Sequence, residues 1–280
     1  MGTITERIDR ITLLEGDYRS PTPPVPRSVK IELTARCDFQ CFFCASSMRL
    51  RDKADIDPAL FRRLLKEMRA LGVEEIGLFY LGESFLCRWL PEAIAYAKRE
   101  CGYPYVFLTT NGRMATPERV RECIEAGLDS LKFSFNFADA EQFMQVTNVR
   151  AIDFYRVEDN LRAARQVRDE IAQASGHFCG LYASSIRYDD AQLEKMQTAV
   201  QRILPYVDEH YWLPLYGQAG LTSGARGTVP TAGNQGHDMG DLGCETFLEA
   251  WHSGRFQRLR RANLAEDVRG TACEKCIAYE

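Results

Sequence analysis

The chain has 280 residues, 45% of them hydrophobic, enough to bury one sizeable core with a small appendage. A net charge of −4 and a pI near 5.7 offer no basic field for nucleic acid or an anionic membrane surface, and no run approaches the length of a membrane span. Ten cysteines behind a polar, leaderless start predict reduced thiols, metal ligation and a cytoplasmic location rather than a secreted disulfide scaffold.

Residues 1–27 close on Pro21-Thr22-Pro23-Pro24-Val25-Pro26, which predicts an extended lead-in. Val29 to Leu33 is the first expected strand. Asp57 caps a helix with Pro58 in its first turn, and Leu60, Phe61, Leu64, Leu65, Met68 and Leu71 share its apolar face. A strand at Ile76 to Leu81 and a helix through Pro91 to Arg99 follow. Next come a strand from Tyr105 to Thr109, ending at Asn111-Gly112, and a helix from Thr116-Pro117 closed by Gly127. Ser130 to Phe135 is a fourth strand, followed by a helix through about Val157 to Glu170. Phe178 to Ile186 and Val207 to Leu215 are the last expected strands, separated by a helix from Asp190 to Ile203. This alternation predicts a parallel α/β sheet, in a chain too short for a complete eightfold barrel. Gly217 to Gly243 reads as loop, followed by a helix near Phe247 to Arg261 and by Cys273-Glu274-Lys275-Cys276.

The chemistry concentrates in Ala35-Arg36-Cys37-Asp38-Phe39-Gln40-Cys41-Phe42-Phe43-Cys44, just after the first strand. Cys37, Cys41 and Cys44 offer three thiolates to one cubic iron–sulfur cluster and leave a fourth iron open to substrate or cofactor. A structural zinc site is the plainer alternative. It usually closes with four ligands, and no further His or Cys stands nearby.

This spacing, with Phe43 just before the third cysteine, resembles the radical S-adenosylmethionine (radical SAM) superfamily, and the resemblance covers about residues 28–280. It implies a partial (β/α)6 TIM-like barrel over residues 28–215 and a [4Fe-4S] cluster whose open iron chelates S-adenosylmethionine. One electron, from a donor such as flavodoxin or ferredoxin, then yields a 5′-deoxyadenosyl radical that takes a hydrogen atom from the substrate. Phe43 stands where the family packs an aromatic beside the adenine. Gly82 and Glu83, in Leu81-Gly82-Glu83-Ser84, stand where the family carries Gly-Gly-Glu for the methionine amine. Leu81 departs from that pattern, and a plain strand-to-helix turn would use the same residues. Ser134 and Asn136 resemble ribose-binding residues, and one of Ser184, Ser185 and Arg187 would meet the methionine carboxylate. For Arg187 a surface salt bridge is the alternative.

The tail from Tyr216 to Glu280 resembles the end of SPASM and twitch extensions, through Gly240-Asp241-Leu242, the Phe247 to Ser253 segment, Phe256 and the Cys273/Cys276 pair. That resemblance implies an auxiliary [4Fe-4S] cluster on Cys244, Cys273 and Cys276, one cysteine short of full ligation. Tyr216-Gly217-Gln218 stands where the extension normally begins with a cysteine. Cys244 is then either the third ligand of a cluster with an open iron or a free thiol that returns hydrogen to a substrate radical, as in radical epimerases. Cys179 is the reserve for either task, and Cys87, Cys101 and Cys123 read as structural. The four histidines form no ligand spacing, while His210, Tyr211 and Trp212 either line a pocket or pack. A compact barrel with a short tail is similar to 2-deoxy-scyllo-inosamine dehydrogenase and the aminoglycoside epimerases. That implies an oxidoreductase or epimerase acting on a small polar sugar or aminocyclitol. A peptide epimerase or crosslinking maturase is the runner-up, and a non-catalytic iron–sulfur scaffold is the alternative outside catalysis.

Overall fold

The computed structural model describes residues 3–13, 16–48, 52–187, 190–216, 239–271, 273–274 and 278–279. Six strands lie parallel in chain order: β1 (Ser28–Lys30), β2 (Glu75–Gly77), β3 (Tyr105–Thr110), β4 (Ser130–Ser134), β5 (Gly180–Arg187) and β6 (Glu209–Tyr216). They curl into an α/β half-barrel, the partial TIM-like architecture that six strand–helix units imply. A short strand β7 (Ala278–Tyr279) pairs antiparallel with the end of β6. Two strands are shorter than their apolar runs. β1 stops at Lys30 and β2 at Gly77, although Leu33 and Leu78 beyond them are fully buried.

Helix α2 (Pro58–Ala70) starts as its residues dictate. The Asp57 carboxylate accepts from the Leu60 amide at 2.8 Å, and Phe61, Leu64, Leu65 and Met68 are buried. Helix α3 (Leu90–Ala95) runs into a π turn, and α4 (Pro117–Glu125) is capped by Thr116. Helix α5 (Ala140–Thr147), which the sequence did not announce, is capped by Asp139 and closed by Asn148 in the left-handed region at φ 56°. Helix α6 (Ile152–Ser175) is longer than its apolar pattern and ends at Gly176, with φ 75°. Helix α7 (Asp190–Ile203) completes the outer layer.

Strand alternation sorts the sheet into two faces. Val106, Leu108, Leu131, Phe133, Leu181 and Ala183 are buried beneath the helices. Their neighbours Tyr105, Phe107, Thr109, Lys132, Ser134, Tyr182 and Tyr211 are only partly buried, so the concave face is an open lumen.

The lead-in is not extended throughout. Helix α1 (Ile4–Thr12) carries a Thr3/Glu6 capping box and closes the amino-terminal end of the lumen. The Ile4 amide and Thr5 hydroxyl donate to Glu209, each at 2.7 Å, while Arg7 pairs with Glu75 and lies 3.4 Å over the Tyr105 ring. Past residue 238, α8 (Phe247–Trp251) and α9 (Gly254–Leu264) clasp the proline-rich run. The Trp251 indole donates to the Pro24 carbonyl at 3.0 Å, Arg260 donates to that of Pro21 at 3.2 Å, and the Phe247 amide reaches Glu67 of α2 at 2.6 Å. No helix among the described residues is long and apolar enough to cross a membrane.

Candidate active site

Cys37, Cys41 and Cys44 lie on one loop beyond the carboxyl end of β1, where parallel barrels gather ligands. The loop is pinned along its length. The Gln40 and Phe42 amides donate to the carbonyls of Thr147 and Val146 at 2.8 and 3.2 Å, and Asn148 donates to the Gln40 side chain at 2.9 Å. Asn111 and Arg113 hold the Asp38 carboxylate at 2.7 and 3.2 Å, and Arg113 also pairs with the fully buried Asp153 at 3.3 Å. The thiols are within electrostatic reach of one another. Burial, opposed by the Phe39 amide and reinforced by Glu83, pushes Cys37 up to about 12, and burial followed by its two partner thiols holds Cys41 well above the usual thiol range. Such thiols give up their protons to a metal centre.

The donor set fits a cubic cluster. Each iron of such a cluster takes its own thiolate, so three ligands need not converge on a point. Among the described residues no three His, Cys, Asp or Glu side chains are gathered as ligands of a single metal ion.

Gly82 is required by close approach. A Cβ there would stand 1.9 Å from the Thr34 carbonyl oxygen and 2.9 Å from that of Arg36, and the Glu83 amide donates to Arg36 at 2.8 Å. The turn after β2 thus lies backbone to backbone on the cysteine loop. Glu83 itself turns inward. Its carboxylate is buried and accepts from the Phe85 amide (3.1 Å), the Thr110 hydroxyl (2.8 Å) and the Asn111 amide (2.7 Å). Burial outweighs these donors and raises it to about 7. Such a carboxylate braces the end of β3. Glu32, which sequence reasoning missed, lies at the lumen mouth and accepts from the Leu81 and Gly82 amides at 3.0 and 2.7 Å. Its signal was an acid at inward register just ahead of the cysteine loop.

Ser134, the last residue of β4, and Ser184, within β5, are register partners on the inner face. The Asn136 side-chain carbonyl accepts from the Ile186 amide at 2.8 Å, tying the same two strand ends together. Arg187 does not join them; it is exposed and pairs with Asp190 at 3.4 Å, the surface salt bridge left open as its alternative. Ser185 faces outward, bonded to the Phe135 carbonyl and, at 2.9 Å, to His210. Alternation splits the aromatic run of β6: Tyr211 faces the lumen, while His210 and Trp212 pack edge to face with centroids 5.3 Å apart on the other side. Phe43 is buried with Val146 and Leu215, edge-on to Phe42. Cys87, Cys123 and Cys179 are buried, with their thiols raised by burial, and the Cys179 thiol donates to the neighbouring Gly180 carbonyl at 3.8 Å.

In the tail, Cys244 is exposed, with its thiol 3.4 Å from the Asp241 carboxylate, which raises it. Cys273 is half-buried and accepts from Asn263 at 3.7 Å, and Cys276 lies outside the described residues.

The Radical SAM superfamily model matches residues 31–170, half of the chain, from the end of β1 through most of α6. A GTP 3′,8-cyclase of Chlorobaculum tepidum is 29% identical over 119 residues, which is 42% of this chain and 36% of that protein. The chain therefore spans about a third of the length of that relative. BtrN, solved in complex with AdoMet and 2-DOIA, superposes with a TM-score of 0.56 at 17% identity, covering 89% of this chain and 92% of that one. Streptococcus suis SuiB bound to its precursor peptide SuiA gives a TM-score of 0.56 at 16% identity, over 74% of this chain and 43% of SuiB. These likenesses extend the same fold beyond the matched half. With its cysteine loop, parallel half-barrel and family match in one frame, the chain belongs to the radical SAM superfamily.

Proposed function

We propose that this radical SAM enzyme removes a hydrogen atom from a C–H carbon of a small polar substrate of the sugar or aminocyclitol type, leading to dehydrogenation or epimerisation. The carrying observation is the lumen: its partly exposed inner face presents Thr109, Ser134, Tyr182 and Tyr211, polar groups suited to a hydroxylated molecule. The near-complete overlap with BtrN, a protein solved with AdoMet and 2-DOIA, favours this reading over the partial overlaps with SuiB and the GTP cyclase.

Cys37, Cys41 and Cys44 hold the [4Fe-4S] cluster and leave one iron for S-adenosylmethionine. When bound, the pair supplies a 5′-deoxyadenosyl radical as the hydrogen-abstracting agent. Gly82 keeps the turn after β2 seated against the cysteine loop, and Ser134 with Ser184 orients the nucleoside at the strand ends. Asn136 holds those ends in register. Arg113 and Asn111 fix Asp38, and through it the loop, so the thiols meet the irons in one geometry. Cys244, Cys273 and Cys276 serve an auxiliary cluster, or Cys244 alone returns the hydrogen atom.

The test is anaerobic reconstitution followed by iron counting and assay of 5′-deoxyadenosine with 2-DOIA as trial substrate. Wild type should cleave S-adenosylmethionine, and the Cys37/Cys41/Cys44→Ala variant should lose about four irons and all cleavage. About four further irons, lost in Cys244→Ala, would make Cys244 a ligand; full iron with arrested turnover would make it the hydrogen donor. Intact S-adenosylmethionine in the fully loaded wild type would reduce the chain to an iron–sulfur scaffold.

A further inference from the structure

We propose that the surface where α5 meets α6 is the docking face for the electron donor, a one-electron carrier protein with an acidic surface around its redox group. This deepens the proposed function and rests on the loop cysteines holding a cluster that is reduced from outside.

The face is built onto the cysteine loop. Gln40 is exposed and next in chain to Cys41, and its side chain accepts from Asn148, the residue that closes α5. The Gln40 and Phe42 amides end on the last turn of the same helix, at Thr147 and Val146. Consecutive Cα atoms stand about 3.8 Å apart, so a carrier seated on Gln40 and Asn148 comes within about one residue of a cluster ligand. From Asn148 the surface continues through Arg150 into the first turns of α6. Ile152 and Tyr155 there, and Met144 one turn before Asn148, are exposed.

The charge on this face is positive. Arg150 and Arg156, 74% and 51% exposed, flank the fully buried Asp153 at 3.6 and 3.0 Å, and Arg113 reaches the same carboxylate at 3.3 Å while also serving Asp38. Three guanidiniums thus answer two carboxylates, and the charge that solvent meets is that of Arg150 and Arg156. The ion pairs hold both in place, so an anionic surface meets them already ordered. The exposed Asp159 carboxylate is matched by Arg162 at 3.0 Å, and Glu158 by Arg162 and Arg202 at 3.1 and 3.0 Å. Glu141 is exposed as well, but it stands in the first turn of α5, about 10 Å from Asn148. Apolar side chains among fixed cations suit a brief redox encounter, which buries less than about 1,200 Å² and relies on charge for its rate. Two arginines on a chain of net charge −4 are too few for a nucleic acid.

The test compares two electron sources on anaerobically reconstituted protein: reduced flavodoxin, and sodium dithionite, a small reductant that needs no docking face. Wild type should cleave S-adenosylmethionine with either, and its flavodoxin-driven rate should fall as salt is raised. The Arg150→Glu/Arg156→Glu variant should lose about tenfold of the flavodoxin-driven rate at low salt and keep its dithionite-driven rate. Ile152→Glu leaves the ion pairs around Asp153 intact and puts an acid where the first turn of a helix favours one; it should lower the flavodoxin-driven rate about threefold. Iron content and circular dichroism check that each variant is folded. Flavodoxin-driven rates equal to wild type in both variants, a wild-type rate indifferent to salt, or equal losses with both reductants would overturn the docking face. Dithionite-driven cleavage by wild type separates the outcomes. If it is present, those results sink only the face, while its absence sinks the enzymatic reading beneath it.

Discussion

Glu83 shows how one carboxylate joins sequence to function through burial. It stands at about 7 in the fold against an ordinary value of 4.5, because desolvation outweighs its three donors. Between those values the native state holds a proton that the unfolded chain has released, so stability should fall as pH rises from about 4.5 to about 7. Glu83→Gln should flatten that slope in urea unfolding followed across the window, and an unchanged slope would assign the titration elsewhere. The three loop cysteines were legible because they lie within one short segment, so spacing alone delivers them together. Glu32 was not, because inner and outer positions are told apart only once the curl of the sheet is known. Glu83 was legible as a special position but not in its task, which depends on Thr110 and Asn111 from another strand.

Among the elements, α6 is fastened to the start of β5 by a buried guanidinium. Arg168 is 1% exposed, bonds the Cys179 carbonyl at 3.1 Å and Asp208 at 2.8 Å, and lies over Phe178. Arg168→Met should cost about 1–3 kcal/mol in chemical unfolding, because the buried Cys179 carbonyl loses its donor. A loss below about 0.5 kcal/mol would mean that this carbonyl finds another donor. The sequence announced α2 and α4 through their caps and prolines, local signals that need no tertiary partner. It was silent on α5, whose two well-buried apolar side chains, Phe143 and Val146, make too short a pattern to read. It shortened α6, because that helix buries polar Asp153, Glu158, Asn160 and Arg168, which break its apolar period.

At the scale of the molecule, the half-barrel is sealed at one end and open at the other. The sealed end depends on Arg7 meeting Glu75, whose carboxyl is raised by burial even beside that guanidinium. Arg7→Ala should cost about 1–3 kcal/mol, with a fall in melting temperature and faster backbone exchange in α1. Unchanged exchange would mean that Glu209 alone anchors the helix. The parallel sheet was legible from its repeating pattern, but the seal was not. Its partners Ile4 and Glu209 stand 205 positions apart, and no local pattern spans that distance.

That separation has a consequence for assembly on the ribosome. Helix α1 buries none of its side chains, so once made it can wait in water without hazard. Its dock is finished only when β6, the last of the six parallel strands, has emerged. Sealing of the lumen floor therefore waits on completion of the parallel sheet, and until then the half-barrel is open at both ends. Throughout that interval the cysteine loop, complete among the first fifty residues, faces solvent from below as well as above.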